Sequence, residues 1–247
     1  MEPDFIFTIF YGLPRLGPGG AEYTKKAYSL LGDLPENPAI LDIGCGNGAQ
    51  TLALASLSSG NVCAMDIHRP YLSELSVRAE LEGLGDRIHP IAASMDALPI
   101  CRKFVDLVWS EGAVYFMGFR EGLDYWKGFV REGGYIAVTE LSWFTTDPSG
   151  EAAAFFEAEY PAMKTVEQNR EIIQSLGLED AGAFSLPDSA WWDEYYLPLG
   201  TRVEAMKQEY AGDGEAMAIL DMASTEIEIF RKYSREYGYE FYLMRKK

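Results

Sequence analysis

Asp66, Asp96 and Glu111 each stand just past a short apolar run, and a glycine-rich turn, Gly44-Cys45-Gly46-Asn47-Gly48, stands just past a fourth. Glycines at that spacing let a ligand approach the backbone closely. The helix-forming residues that follow offer unpaired N–H groups at a helix start. An acid at position 66 can accept both hydroxyls of an adenosine ribose. Met95 can lie against an adenine face while Asp96 accepts from the exocyclic amine. Ser110 and Glu111 add polar groups that can meet the charged tail of the same ligand. The glycines alone are a weak signal; four strand ends that fit one adenosine-bearing ligand are a more specific one.

Positioning these residues requires a sheet whose strand ends converge. From residue 39 the chain alternates strand and helix patterns, with strands expected at 39–43, 61–66, 88–93, 104–109 and 135–139. Helices are expected between them at 49–57, 71–82 and 121–131. The alternation predicts a doubly wound, parallel α/β sheet, which binds ligands beyond the carboxyl ends of its strands, where strand order reverses. A helix over 152–160 follows, then a capping box, Thr165-Val166-Glu167-Gln168, opening a helix that ends at Gly177. A sixth strand at 181–186 and a seventh at 239–245 bracket a long insertion with two helical patterns, about 199–210 and 215–236. The expected organisation is an N-terminal lid and helix at 1–36, a core at 37–187 plus 237–247, and a helical cap at 188–236.

Composition narrows the partners. A formal charge of −17 repels phosphate backbones and anionic lipid, which argues against nucleic-acid and membrane-surface binding. It leaves room for neutral or cationic small substrates, but solubility is the favoured reading of the charge. Cys45, Cys63 and Cys101 cannot all pair within one chain and lack metal-ligand spacing, and His68 and His89 are the only histidines. No metal is expected. The N-terminus lacks the basic flank of a signal peptide, and no run approaches the roughly 18 apolar residues of a membrane helix. A reduced cytosolic protein is the expectation.

The stretches LDIGCGNG (41–48), SMDALP (94–99) and EGGYIAV (132–138), together with Asp66, resemble those of class I S-adenosylmethionine-dependent methyltransferases. GPGG (17–20), FVDLVWSEGAVY (104–115), TELSWFT (139–145) and YEFYLM (239–244) are similar to a bacterial subset of small-molecule methyltransferases. The resemblance implies a Rossmann-like, seven-stranded, mostly parallel sheet whose last strand is antiparallel. It implies S-adenosyl-L-methionine as cofactor and S-adenosyl-L-homocysteine as product. Gly44, Gly46 and the neighbouring backbone at Cys45 and Asn47 would hold the amino-acid portion, with Asp42 near its ammonium. Asp66 would take the ribose, Ile67, Met95 and Asp96 the adenine, and Ser110 and Glu111 would lie near the methionine moiety. Tyr11 and the GPGG segment would close over the cofactor.

Methyl transfer from a sulfonium needs orientation more than covalent chemistry, and a base only for a protonated nucleophile. Candidate bases are Glu111, Glu140 and Tyr115. His68 follows the ribose acid and reads as a surface or adenine-edge residue. The insertion opens with Trp191-Trp192-Asp193-Glu194-Tyr195-Tyr196, which with Trp143 and Phe144 suits either an apolar or cation-accepting pocket or plain packing of the cap. The cap is read as a lid over substrate or as a homodimer surface. Two other functions fit the same residues: an NAD(P)-dependent oxidoreductase, and a non-catalytic module that binds S-adenosylmethionine.

Overall fold

The computed structural model describes residues 5–247; residues 1–4 of the expected N-terminal lid lie outside the described residues. The strands are β1 (Ala39–Ile43), β2 (Asn61–Asp66), β3 (Ile88–Ala92), β4 (Val105–Ser110), β5 (Val130–Trp143), β6 (Lys164–Thr165), β7 (Leu178–Ser185) and β8 (Tyr237–Lys246). Seven lie in the order β3-β2-β1-β4-β5-β8-β7, and the two-residue β6 adds to the edge of β5. All pairings are parallel except those of β8 with β5 and β7. Strand order therefore reverses between β1 and β4, and the carboxyl ends of those two strands are where such a sheet leaves a crevice.

Side chains on successive positions pack on opposite faces, because a strand's period is two. Ile40, Leu107, Trp109, Ala137, Phe241 and Leu243 share one core cluster. Leu41, Ile43, Val108, Ile136, Val138, Tyr242 and Met244 share the other. Both faces are covered by helices, which explains the near-continuous apolar runs of the central strands.

The covering helices are α1 (Phe5–Thr8), α2 (Ala21–Leu30), α3 (Ala49–Leu57), α4 (Arg69–Leu81), α5 (Phe119–Trp126), α6 (Gly150–Glu159) and α7 (Val166–Ser175). The capping box is present at the start of α7: the Thr165 hydroxyl accepts from Gln168 N, and the Gln168 side chain accepts from Thr165 N. Helix α5 is shorter than the expected 121–131. Phe129 and Val130 are drawn into the sheet instead, with Val130 opposite Val105 and a bulge before Tyr135 meets Leu107. Pairing of β8 along Tyr135–Trp143 also makes β5 longer than its local pattern predicts.

Between β7 and β8 come α8 (Ser189–Trp191), a π-helical turn (Trp192–Tyr196), α9 (Leu197–Glu209) and α10 (Gly214–Tyr233). Asp213 caps α10 by accepting from the Glu215 and Ala216 amides. The π-helical turn widens the chain where the aromatic run lies, and such turns recur at functional sites. Among the described residues, no helix is long and apolar enough to cross a membrane.

Candidate functional site

The glycine turn leaves β1 still tied to its neighbour, because Gly44 N and Cys45 N both donate to Met65 O at 2.8 and 3.0 Å. Gly44 sits at φ +71°, and a Cβ there would collide with the Ala113 methyl just past β4. The close approach of the β1 and β4 ends thus requires glycine. Across the turn, Asp66 Oδ2 accepts from Gly46 N at 2.9 Å and Oδ1 accepts from His68 N at 2.8 Å. A carboxylate offers about four lone-pair sites, so Asp66 locks the turn and keeps capacity for two more donors.

One continuous cavity of about 720 Å³ opens from this point. Gly44, Gly46, Asp66, Ile67, Met95 and Asp96 line one end. Tyr115, Trp191, Tyr195, Tyr196, Glu226 and Tyr239 line the other. The Met95 loop is pinned from behind, where Trp126 Nε1 donates to Met95 O at 3.0 Å.

Glu111 lies between the two ends and is held by three donors. Arg15 Nη2 pairs with its Oε2 at 2.7 Å, and Thr24 Oγ1 and Trp109 Nε1 donate to its Oε1 at 2.7 and 2.9 Å. The ion pair is buried, with side chains 5% and 3% exposed. The Arg15 guanidinium occupies the space a Cβ at Gly19 would need, which explains the glycine at that point of the GPGG turn. Arg15 Nε is buried without a partner while Arg15 lines the cavity. Neither Arg15 nor Thr24 stands out in the sequence; an arginine next to the GPGG turn is the only signal.

The segment before the turn is strapped across the site. Phe7 stacks on His68 with ring centroids 4.2 Å apart, and the Tyr11 hydroxyl is 2.8 Å from His68 Nε2. The Tyr71 hydroxyl and the Arg202 guanidinium donate to Phe7 O and Thr8 O. Gly19 N donates to Ala190 O, joining the strap to the insertion. His68 is therefore buried under aromatic rings rather than at the surface, and it does not line the main cavity. The Tyr11 hydroxyl is directed to His68, and Tyr11 does not line the main cavity.

Cys45 and Asn47 line the cavity, and Asn47 Nδ2 is committed to Leu13 O and Glu74 Oε1. Asp42 and Ser110 do not line it. The buried Asp42 accepts from Thr51 Oγ1 and Gln50 Nε2, and burial raises its pKa to about 7. Ser110 Oγ donates to Ile43 O, stitching β4 to β1. Glu140 lies beneath the wall, not on it: the Tyr160 hydroxyl donates to its Oε1, its Oε2 has no partner, and burial raises its pKa to about 8. Tyr115 does line the cavity, but burial, with the charges of Glu226 and Glu140, raises its phenol further above the usual tyrosine range. Trp143 and Phe144 are not on the wall; Trp143 packs edge-on against Phe156 and Tyr237 instead.

Among the described residues, no group of three or more His, Cys, Asp or Glu converges as metal ligands. All three cysteines are free.

Residues 40–134 match the model of a family described as a methyltransferase domain. The chain is similar to the methyltransferase GfsG of Streptomyces halstedii, with 27% identity over 145 residues, 56% of this chain and 52% of that one. It spans about a third to a half of the length of the curated relatives it matches. Its fold is similar to that of a SAM-dependent methyltransferase from Geobacter sulfurreducens in complex with S-adenosyl-L-homocysteine, with a TM-score of 0.83, 19% identity and 98% of both chains covered. It is equally similar to YjhP from E. coli, with a TM-score of 0.85, 17% identity, and 99% and 100% covered.

Proposed function

We propose that this chain, whose residues 40–134 match a methyltransferase domain, transfers the methyl group of S-adenosylmethionine to a small-molecule acceptor. The observation that carries this reading is the single cavity. Its glycine and carboxylate end is continuous with its aromatic end, so a cofactor and an acceptor can meet inside one enclosure. Its volume, about 720 Å³, lies within the range of roughly 300–1,000 Å³ usual for small-molecule sites.

The residues fit the cofactor. Asp66 has acceptor capacity left for the two ribose hydroxyls after binding Gly46 N and His68 N. Ile67 and Met95 offer apolar surface to the adenine, and the exposed Asp96 faces the same end. The unpartnered Arg15 Nε suits the carboxylate of the cofactor's amino-acid portion, which the left-handed backbone at Gly44 and Gly46 lets come close. The cofactor brings an activated methyl on a sulfonium. The chain's own task is to hold the acceptor about 3–3.5 Å away and in line, which can contribute roughly 7–11 kcal/mol. The strap over residues 5–20 and the insertion over 188–236 exclude water and shape the acceptor end. Glu111 acts as a latch for the strap rather than as a base. The three free cysteines suit a reducing compartment, and we place the chain in the cytosol.

The test is a titration with S-adenosylhomocysteine, read by calorimetry and by thermal shift. Binding that raises Tm is expected, since a ligand that binds only the folded state stabilises it. Absence of any shift at millimolar ligand in a folded sample overturns the reading, and a larger shift with NADPH would favour an oxidoreductase. Asp66→Ala should weaken binding by about tenfold or more, because hydrogen bonds to a charged group contribute about 1.5–3 kcal/mol. Unchanged affinity would remove Asp66 from the ribose role.

A further inference from the structure

The acceptor end of the cavity combines unbalanced negative charge with aromatic walls. Glu226 and Glu159 both line it. Among the described lining residues Arg15 is the one cation, and it is paired with Glu111. Glu226 accepts from the Tyr196 hydroxyl at 2.8 Å, and no cationic side chain pairs with it among the described residues. Burial, and then the charge of Glu159, raise its pKa, so the carboxylate sits where an unpaired anion is disfavoured. The rings of Trp191, Tyr195, Tyr196, Tyr237 and Tyr239 line the same end. Tyr237 Oη is buried without a partner, and it can accept a hydrogen bond as well as donate one.

We propose that the methyl acceptor is an amine that enters as its ammonium ion, seated between the Glu226 carboxylate and these aromatic rings. The inference rests on the cofactor reading above and adds the acceptor's chemistry. A half-buried carboxylate on a cavity wall without a cation is unfavourable, and a ligand cation offsets that cost. Ring faces attract a cation more strongly once it is desolvated. The overall charge of −17 draws cations toward the protein. An anionic acceptor would instead meet two carboxylates and no free cationic side chain.

In the transfer, the ammonium gives one proton to a Glu226 oxygen, which passes it on to water. The freed nitrogen lone pair forms the N–CH₃ bond as the S–CH₃ bond breaks, its electron pair going to sulfur. The products are the methylated ammonium ion, S-adenosylhomocysteine and a proton.

Three probes of similar shape test this: 2-phenylethylamine, 2-phenylethanol and phenylacetate, which at pH 7 are cationic, neutral and anionic. Each is titrated by calorimetry into the full-length protein saturated with S-adenosylhomocysteine. The ammonium should bind at least tenfold more tightly than the alcohol, with phenylacetate weakest. Glu226→Gln keeps the acceptor for Tyr196 and should erase that preference while leaving S-adenosylhomocysteine affinity unchanged. Equal binding of the three probes, tighter binding of the alcohol or the acid, no binding of the ammonium at millimolar concentration, or a preference that survives Glu226→Gln overturns the proposal. Each of those outcomes, with S-adenosylhomocysteine bound, leaves the cofactor reading standing. Failure of S-adenosylhomocysteine to bind removes the cofactor reading and this inference with it.

Discussion

Glu111→Gln should destabilise the protein by about 3–5 kcal/mol, the cost of leaving one member of a buried ion pair without its partner. At about 2–4 °C per kcal/mol for a chain of this size, Tm should fall by about 10 °C. The substituted amide oxygen would still accept from Thr24 Oγ1 and Trp109 Nε1, so the loss isolates the charge on Arg15, whose guanidinium is almost wholly buried. The double variant Arg15→Met/Glu111→Gln should recover much of the stability, because it removes the stranded cation and keeps its packing volume. Chemical denaturation of the two single variants and the double variant measures the coupling directly. A Glu111→Gln protein as stable as the parent would return Glu111 to the pool of candidate bases.

Stability should also fall as pH rises from about 4 to about 8, with Glu140 as the main source. Burial holds its folded pKa at about 8, against about 4.3 in an unfolded chain. The folded state therefore binds the proton more tightly. Its contribution is fully present below the unfolded value, declines as pH rises, and is gone above about 8. Asp42, raised to about 7 by burial, acts in the same direction over a narrower window. Each pKa unit corresponds to about 1.36 kcal/mol, so the Glu140 part amounts to a few kcal/mol. Glu140→Gln should flatten this slope. At pH 5 the variant should match the parent to within about 1 kcal/mol, because the protonated carboxyl and the amide each leave a donor without a partner at that position. By pH 8.5 the variant should be the more stable protein. Melting curves of both proteins across pH 5–8.5 decide it, and parallel Tm profiles would show that Glu140 does not titrate in this range.

The aromatic run 191–196 shows where local pattern stops being informative. Its composition suits packing and ligand binding alike. In the fold it packs and also forms cavity wall: Trp191 stacks on Phe230 at 4.3 Å between ring centroids, and it lines the cavity with Tyr195 and Tyr196. Trp143, equally aromatic and at the end of a strand, turns to Phe156 and away from the cavity.

The glycine-lined end of the cavity is written locally in the chain. Gly44, Gly46, Asp66, Ile67, Met95 and Asp96 each lie at or close behind the end of their own strand, so strand alternation and the parallel sheet suffice to bring them to one edge. The remainder took shape only on folding, because it depends on partners remote in sequence. Glu111 meets Arg15 and Thr24 across 96 and 87 residues, which ties a candidate base into a buried ion pair. Asp42 and Ser110, adjacent to the motifs, bond inward to Thr51 and Ile43 and leave the cavity wall to others. Glu226 reaches the aromatic end of the cavity only because the insertion folds back over the sheet, placing an acid from the middle of a helix where Tyr196 can hold it.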